Sequence, residues 1–396
     1  MIPARRQLSR ISVRTLLALA VAFVMLATTG WTGLRPHAAD DARAAAVAAW
    51  MTGTVGVRHL PSPNAAPGAI ARFFASLTAS QRLGLAKRYP LVVGNLNGVA
   101  PALRYTANRF ALIHQRTVAL RRSHSSDLSY EGQQDAADLA QRYTSLLSGH
   151  RQILAFDPTG SGRVAEVLGD LSTARRVAVV VPGVDTDLLT FERDTKTYQA
   201  PAGMARELYA AERHDDPGAH TAVIAWADYT APAGLGLDAS TGTLAQRGAV
   251  RLNGLLSALP QRAQVALFCH SYGSVLCGVA APGLPGRVSD LTVLGSPGMR
   301  ANNVADLHTR AHVWAVRDSG DWIGDVPHLE FAGLGHGPDP VSRSFGARVI
   351  SSTGASGHPN YFAPDTTSLA NFAEIALGSY TAVACRNGLA CTAGLP

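Results

Sequence analysis

The stretch from Ala266 to Gly278, ALFCHSYGSVLCG, has the strongest chemical signal in the chain. An apolar run typical of a strand is followed by Ser271 and then by small apolar residues typical of a helix start. A serine on such a sharp turn is a nucleophile elbow, which exposes Oγ and places a helix N-terminus beside developing negative charge. Gly273 suits the close crossing of strand and helix, whereas Cys269 breaks the strict G-x-S-x-G pattern. We predict that Ser271 is a catalytic nucleophile; the alternative is an ordinary turn.

A nucleophilic serine requires a base and a carboxylate that orients the base. In strand-to-helix elbows of this kind, the acid follows the serine in the chain and the histidine comes last. The acid is expected just beyond the apolar run 312–318, where Asp321 is favoured because it lies far enough into the loop to reach the site. Asp318 is the second candidate, and Asp325 is the third.

The histidine is expected between the last strand, residues 347–352, and the C-terminal helix, residues 368–378. His358, in the turn Gly-His-Pro, occupies that interval, and we predict that it is the base. His336 precedes the last strand and is the competing candidate.

An oxyanion hole requires two backbone N–H groups. Tyr272, directly after the nucleophile, is predicted to supply one, and Val184, after the run VAVVVPG, is predicted to supply the other. Asp185 and Asp187 follow directly and could begin a metal site, but the sequence offers no third metal ligand near them. We therefore expect no metal and no cofactor.

Trp226 and Tyr229 end the apolar run TAVIAWA, and we predict that they line an acyl or alcohol pocket. Packing at a sheet edge is the alternative for both aromatic residues. The long Gly/Ala-rich segment 229–248 is a candidate lid.

The order of elements favours an α/β fold. One helical block is predicted around Phe73 and is expected to end at Pro90. Helices are also predicted at about 102–122 and 132–147, the second opened by Ser129 and Glu131, and residues 152–169 read as two short strands around a turn. Six apolar runs with helices between most of them follow, at residues 176–183, 221–227, 264–269, 290–298, 312–318 and 347–352. This alternation predicts a mostly parallel sheet with helices on both faces, preceded by an N-terminal helical region.

The charge of the chain does not indicate a polyanion partner. The formal charge is +7, but five arginines and no acids lie in residues 1–39, so the remainder carries only +2. We therefore expect no nucleic-acid partner.

The N-terminus predicts export. A basic stretch precedes the apolar run 15–31, which is intermediate between a signal-peptide core and a short membrane span. Residues 1–39 are interpreted as a signal peptide or an N-terminal anchor, which places the protein outside the cell or on the outer face of its membrane. The remaining segments are a helical region (40–150), a catalytic domain (151–380) and a C-terminal tail (381–396).

Four cysteines suit an oxidising compartment. Cys385 and Cys391 enclose a short loop and are predicted to form a disulfide. Cys269 and Cys277 flank the elbow, where two buried thiols are expected and a bridge is the alternative.

From about Phe73 to Gly378, the chain resembles an actinobacterial alpha/beta-hydrolase family long catalogued as a domain of unknown function. The resemblance is carried by YPLVVGNLNGVAPALRYTANRFAL (89–112), VVVPGVDTD, HSYGS, LGHGPDP and GHPNY. The family usually shows GHSYGS, so Cys269 is a departure. The resemblance implies an alpha/beta-hydrolase fold with the triad Ser271, Asp321 and His358.

The predicted function is an exported serine hydrolase of carboxylic esters acting on a small-molecule or lipid-like acyl substrate. Acyl transfer, or cleavage of peptides and amides, would use the same residues. A non-catalytic extracellular binding protein on this scaffold is the third possibility.

Overall fold

A computed structural model describes residues 40–388 and 390–395. The helices, in chain order, are α1 (Asp40–Met51), α2 (Pro67–Ala75), α3 (Ala79–Arg88), α4 (Pro90–Val93), α5 (Pro101–Arg122), α6 (Tyr130–Leu147), α7 (Pro201–Asp215), α8 (Leu237–Ser240), α9 (Thr243–Ala258), α10 (Tyr272–Ala280) and α11 (Thr367–Leu377). The strands are β1 (Thr54–Val55), β2 (Arg58–His59), β3 (Gln152–Asp157), β4 (Arg163–Gly169), β5 (Arg176–Val181), β6 (Thr221–Ala227), β7 (Gln264–His270), β8 (Val288–Leu294), β9 (His312–Val316), β10 (Glu330–Phe331), β11 (Leu334–Gly335) and β12 (Arg348–Val349).

Eight strands form one sheet in the order β12-β9-β8-β7-β5-β6-β4-β3. The six strands from β12 to β6 run parallel to one another, and the hairpin β3–β4 adds an antiparallel edge beside β6. Helices cover both faces, as the sequence predicted. The last strand is shorter than expected, since only Arg348 and Val349 of the run 347–352 pair with β9.

The central strands are continuously apolar because both of their faces are buried. In β5, Val177, Val179 and Val181 face the core beneath α9 and α10, whereas Ala178 and Val180 face the core that includes α7 and α11. The two hydrophobic cores thus lie on opposite sides of one sheet, and together they hold its parallel strands rigidly.

The N-terminal helical region has a third core, which includes Trp50, Phe74 and Tyr89. The single helical block expected around Phe73 is divided into α2 and α3, because Thr78 forms a capping box that begins a new helix. Pro90 does not end the block but begins α4, since proline is favoured in the first turn of a helix. Ser129 caps α6, as its position before the helical pattern indicated.

Two disulfides join the four cysteines. Cys385–Cys391 matches the prediction. The expectation of two thiols at Cys269 and Cys277 is wrong, because these residues are bridged, with their Cα atoms 6.5 Å apart. Cys269 lies near the end of β7 and Cys277 in the second turn of α10, so the tight strand-to-helix crossing brings them within disulfide range.

The described residues contain no helix that is long and apolar enough to cross a membrane. The apolar run 15–31, on which the predictions of export and membrane attachment depend, lies outside them.

Candidate active site

Ser271 lies between β7 and α10 in a backbone conformation that a serine rarely adopts, with φ 54° and ψ −125°. Such strain persists only where surrounding contacts impose it. The Ser271 N–H donates to the carbonyl of Leu294 at 3.0 Å, which fixes the turn against β8. A Cβ on Gly273 would lie 2.5 Å from the carbonyl oxygen of Val181, so only glycine fits there. This is the strand-to-helix elbow that the sequence predicted.

The loop after β5 approaches the serine directly. A Cβ on Gly183 would lie 2.6 Å from Ser271 Cβ and 3.1 Å from Ser271 Oγ. The next N–H, that of Val184, donates to no other described residue, and Tyr272 begins α10 with an N–H that has no acceptor within the helix. Both predicted oxyanion donors therefore lie on segments that flank the nucleophile.

His358 and Asp321 form a buried pair. His358 Nδ1 lies 2.9 Å from Asp321 Oδ1 and 3.0 Å from Oδ2, so the imidazole donates Nδ1–H and keeps Nε2 free as a base. The carboxylate also accepts from Tyr361 Oη at 2.6 Å and from the N–H of Ile323 at 2.9 Å. Burial alone would raise the pKa of Asp321, but the hydrogen bonds from His358, Tyr361 and Ile323 and the charge of His358 lower it overall. Asp321 is thus an ionised acceptor suited to orienting a histidine.

The other acid candidates have different surroundings. Asp318 Oδ2 accepts from the N–H groups of Gly320 at 2.9 Å and Gly357 at 3.0 Å, so Asp318 joins the two loops that carry Asp321 and His358. Asp325 is exposed.

The competing histidine also has a structural contact of its own. His336 donates Nε2–H to the carbonyl of Ala239 at 2.7 Å. Its side chain thus holds the segment before α9, and it makes no hydrogen bond to Ser271 or to an acid among the described residues.

Among the described residues, Ser271 and His358 form no hydrogen bond with each other, and they are linked instead through Leu294 and Gly295. Gly295, which follows Leu294, packs against the imidazole, since a Cβ there would lie 3.0 Å from His358 Nδ1. Leu294, which accepts the hydrogen bond from the Ser271 N–H, and Gly295, which packs against the His358 ring, are therefore consecutive residues.

His270, directly before the nucleophile, is a site residue that sequence reasoning missed. Its Nε2–H donates to the main-chain oxygen of His358 at 2.9 Å, and the two rings lie 4.6 Å apart. Burial, reinforced by the charge of His358, lowers the pKa of His270 to about 3, so its imidazole is neutral at physiological pH. In the sequence, only the position of His270 beside Ser271 could have indicated that it contacts the loop of His358.

Trp226 and Tyr229 are almost fully buried and stack on each other, with ring centroids 5.7 Å apart. Trp226 lines a small polar cavity of about 60 Å³ with Arg104, Asp228 and other residues. Tyr229 donates its hydroxyl to the carbonyl of Pro182 at 2.7 Å. Tyr229 thus holds the loop after β5 in place, and Trp226 packs against Tyr229.

The distinctive segment around Asn95 serves the packing of the helical region on the sheet. Asn95 bonds the backbone of Phe156 through both its carbonyl and its amide, and Asn108 donates to the carbonyls of Gly94 and Ile153. These side chains therefore attach α4 and α5 to strand β3.

The aspartates after the oxyanion loop also have structural partners. Asp185 Oδ1 accepts from the N–H of Gly234 at 2.6 Å, and Asp187 Oδ1 accepts from the N–H of Thr190 at 2.8 Å. Within the described ranges, no three His, Cys, Asp or Glu residues are grouped as metal ligands.

Comparison with known proteins supports the same architecture. Residues 157–331 match the profile of a family described as alpha/beta hydrolase. Uncharacterized proteins from two strains of Mycobacterium tuberculosis are 28% identical over 393 residues, covering 82% of this chain and 58% of their own length. The chain thus spans little more than half the length of these curated relatives.

Solved hydrolase structures are more distant. The dienelactone hydrolase of Anabaena variabilis is 17% identical, with a TM-score of 0.35 over 57% of this chain and 93% of its own. The 2,6-dihydroxy-pseudo-oxynicotine hydrolase is 12% identical, with a TM-score of 0.29 over 65% of this chain and 85% of its own. The family match and the strand order identify an alpha/beta-hydrolase fold with an N-terminal helical region.

Proposed function

We propose, from the match of residues 157–331 to an alpha/beta hydrolase family, that this chain is a serine hydrolase that cleaves carboxylic esters through an acyl-enzyme on Ser271. The observation that carries the proposal is the buried His358–Asp321 pair, joined through a hydrogen bond from His270 to the strand-to-helix turn that holds Ser271 at positive φ. A binding protein would gain nothing from a strained serine next to an oriented imidazole.

In the proposed first step, Ser271 Oγ attacks the ester carbonyl carbon while His358 Nε2 takes the hydroxyl proton. The negative charge that develops on the carbonyl oxygen is met by the N–H groups of Tyr272 and Val184. Asp321 remains ionised and stabilises the imidazolium through Nδ1. The carbon–oxygen bond to the alcohol then breaks, and the imidazolium protonates the leaving alkoxide.

In the second step, water replaces the alcohol. His358 Nε2 takes a proton from the water as it attacks the acyl-enzyme, and it returns that proton to Ser271 Oγ when the acid leaves. The products are one carboxylic acid and one alcohol.

Export of the protein is part of the proposal. The disulfides Cys269–Cys277 and Cys385–Cys391 suit an oxidising compartment. Export would place the site outside the cell or on the outer face of its membrane.

The test is covalent labelling of the full chain with a fluorophosphonate, together with hydrolysis of p-nitrophenyl butyrate. Ser271→Ala should abolish labelling, and His358→Ala should lower both labelling rate and kcat at least about a thousandfold. Ser289→Ala is the matched control and should behave as the wild type. A folded wild-type chain that is neither labelled nor active on the ester would refute the proposal.

A further inference from the structure

Six exposed apolar side chains form what we term the apolar rim, and their exposed fractions range from 42% to 83%. They are Leu235, Leu237, Trp322, Leu329, Phe331 and Leu334. A soluble surface seldom groups so many large apolar side chains, and where it does the group marks a site of binding.

One part of the rim is attached directly to the catalytic machinery. The N–H of Gly234 donates to Asp185, which follows the oxyanion loop, and Tyr272 donates its hydroxyl to the carbonyl of Thr241 at 2.8 Å. The segment between these contacts carries Leu235 and Leu237. The segment that carries both leucines is therefore attached, at its two ends, to the residue that follows the proposed oxyanion loop and to the first residue of α10.

The hairpin β10–β11 extends this surface. Leu334 forms an isolated bridge with Thr241, and Phe331 pairs with Leu334 across the hairpin. His336, just after the hairpin, donates to the carbonyl of Ala239. The exposed side chains of the hairpin are thus continuous with those of the segment 234–241.

Trp322 carries the rim to the histidine side of the site. Its ring centroid lies 5.0 Å from that of His358, and 42% of the side chain is exposed. Ser271 and His358 themselves are each only 5% exposed. The rim therefore borders the approach to a nearly covered nucleophile from the oxyanion side and from the base side.

Charge decides which kind of surface fits the rim. Glu330 is the only charged residue in the hairpin, and it is paired with Arg300 at 2.7 Å. The exposed residues Asp238 and Asp325 lie next to the rim and carry negative charge. An electrically neutral surface is therefore complementary, whereas an anionic one would be repelled.

We propose that the apolar rim docks the protein on a neutral acyl-lipid surface, and that the substrate is a long-chain acyl ester presented in that aggregated form. This inference rests on the proposed hydrolase function. A protein seated on the same rim would obstruct the approach to Ser271, whereas a lipid surface would deliver acyl chains to it. Burial of the rim side chains among acyl chains supplies the binding free energy.

The first test measures docking without turnover. Full-length Ser271→Ala protein is mixed with phosphatidylcholine vesicles that carry dibrominated acyl chains, which quench tryptophan on contact. The Trp322 signal is obtained by subtracting the same measurement on a chain that also carries Trp322→Phe. Residues 15–31 are the same in every variant, so any binding of this segment to the vesicle affects all variants equally. Such binding would not by itself bring Trp322 into contact with the lipid acyl chains.

Three chains are compared: the parent, the rim variant Leu235→Ser/Phe331→Ser, and the control variant Val57→Ser/Leu120→Ser, whose residues are also exposed but lie before β3. We expect quenching of Trp322 in the parent and the control, a loss of about fivefold or more in the rim variant, and weaker quenching with phosphatidylglycerol vesicles. Unquenched Trp322 in the parent would overturn the inference. Quenching of the rim variant as strong as that of the parent would also overturn it. So would a wild-type chain that is a dimer in analytical ultracentrifugation while the rim variant is a monomer, because the rim would then be a contact between two copies of the chain.

The second test separates docking from chemistry. With Ser271 intact, the rim variant should keep kcat/KM on soluble p-nitrophenyl butyrate within about twofold and lose about tenfold on dispersed p-nitrophenyl palmitate. An equal loss of kcat/KM on both esters, or no loss on the dispersed ester, would overturn the docking proposal and leave the proposed serine hydrolase activity unaffected. A wild-type chain inactive on both esters would instead remove the hydrolase, and the quenching result would still decide whether the rim binds lipid.

Discussion

His270 and His358 are joined by a hydrogen bond of 2.9 Å, from the Nε2–H of His270 to the main-chain oxygen of His358. Through it, the residue that precedes the nucleophile holds the backbone of the residue that acts as the proposed base. The two loops converge from β7 and β12, which are separated in the sheet by β8 and β9. The bond therefore keeps the imidazole of His358 at a constant position relative to the elbow.

Replacing His270 should impair catalysis more than binding. His270→Phe removes the donor and leaves the carbonyl of His358 without a partner, so we expect kcat to fall about tenfold with KM nearly unchanged. His270→Gln can place an amide donor near the Nε2 position and should restore most of the loss. Steady-state hydrolysis of p-nitrophenyl butyrate measures both effects. Equal kcat values for the Phe and Gln variants would contradict a positioning role for the hydrogen bond.

Tyr361 should contribute to orienting the base. Its hydroxyl donates to Asp321 Oδ2 at 2.6 Å and accepts from the N–H of Asp318 at 3.0 Å. Tyr361→Phe removes one of the hydrogen bonds that lower the pKa of Asp321, so that pKa should rise. We expect kcat to fall about tenfold and the acid limb of the kcat/KM–pH profile to change.

A second buried tyrosine provides the control. Tyr380 donates its hydroxyl to Asp290 Oδ2 at 2.8 Å, and neither residue contacts the proposed triad. Tyr380→Phe and Tyr361→Phe should both lower the free energy of unfolding by about 1–3 kcal/mol, but Tyr380→Phe should leave kcat unchanged. If both variants lose the same activity, the effect of Tyr361 is one of stability alone.

The positions of the proposed triad residues could be predicted because they follow from chain order and sheet topology. Parallel strands place their carboxyl ends at one edge, so the loops after β7, β9 and β12 meet wherever the strand order is regular. Ser271, Asp321 and His358 each follow one of these strands. Chain order, the type of residue and its distance from a strand end were enough to select them as candidates.

The surrounding contacts could not be predicted because they depend on where side chains point. Tyr361 and His270 reach their partners across 40 and 88 residues of chain, and no local pattern marks such hydrogen bonds. Trp226 ends a strand, as a pocket residue would, yet the pleat turns it to the face covered by α9 and α10. The bridge between Cys269 and Cys277 likewise requires the angle at which strand and helix cross.

The elbow disulfide should affect stability and activity together. In the chain-entropy account, closing the short loop between Cys269 and Cys277 stabilises by about 2.5 kcal/mol. The bridge also holds the end of β7 against the helix whose first N–H belongs to Tyr272. We expect Cys269→Ala/Cys277→Ala to lower the free energy of unfolding by that amount and to reduce kcat about fivefold.

The tail disulfide is the comparison for the elbow. Cys385→Ala/Cys391→Ala opens a loop of similar size and should cost similar stability while leaving kcat unaltered. Mild reduction of the disulfides in the wild-type chain should cause the same losses of stability and kcat without changing side-chain volume. Denaturant titration and ester hydrolysis measure them, and an unchanged kcat after elbow reduction would exclude a role for the bridge in catalysis.

Glu212, in α7, should make the folded state less stable as pH rises. Burial raises the pKa of this carboxyl from 4.5 to about 8, and neither of its oxygens has a hydrogen-bond partner among the described residues. Between these two pKa values the unfolded chain has released a proton that the folded chain retains. The free energy of unfolding must therefore fall with increasing pH across that interval and level off above about pH 8.

Glu212→Gln removes the titrating group while keeping its shape. The variant should match the wild type near pH 4 and exceed its stability by a few kcal/mol, on the order of 1.4 kcal/mol for each pH unit crossed, by pH 8. Urea unfolding at several pH values measures this difference, with Glu374→Gln as the control, because burial also raises the pKa of Glu374 but that side chain is less enclosed. A free-energy difference between wild type and Glu212→Gln that is the same at all pH values would mean that folding does not shift the pKa of Glu212, because the expected difference grows only where the unfolded chain has released the proton and the folded chain retains it.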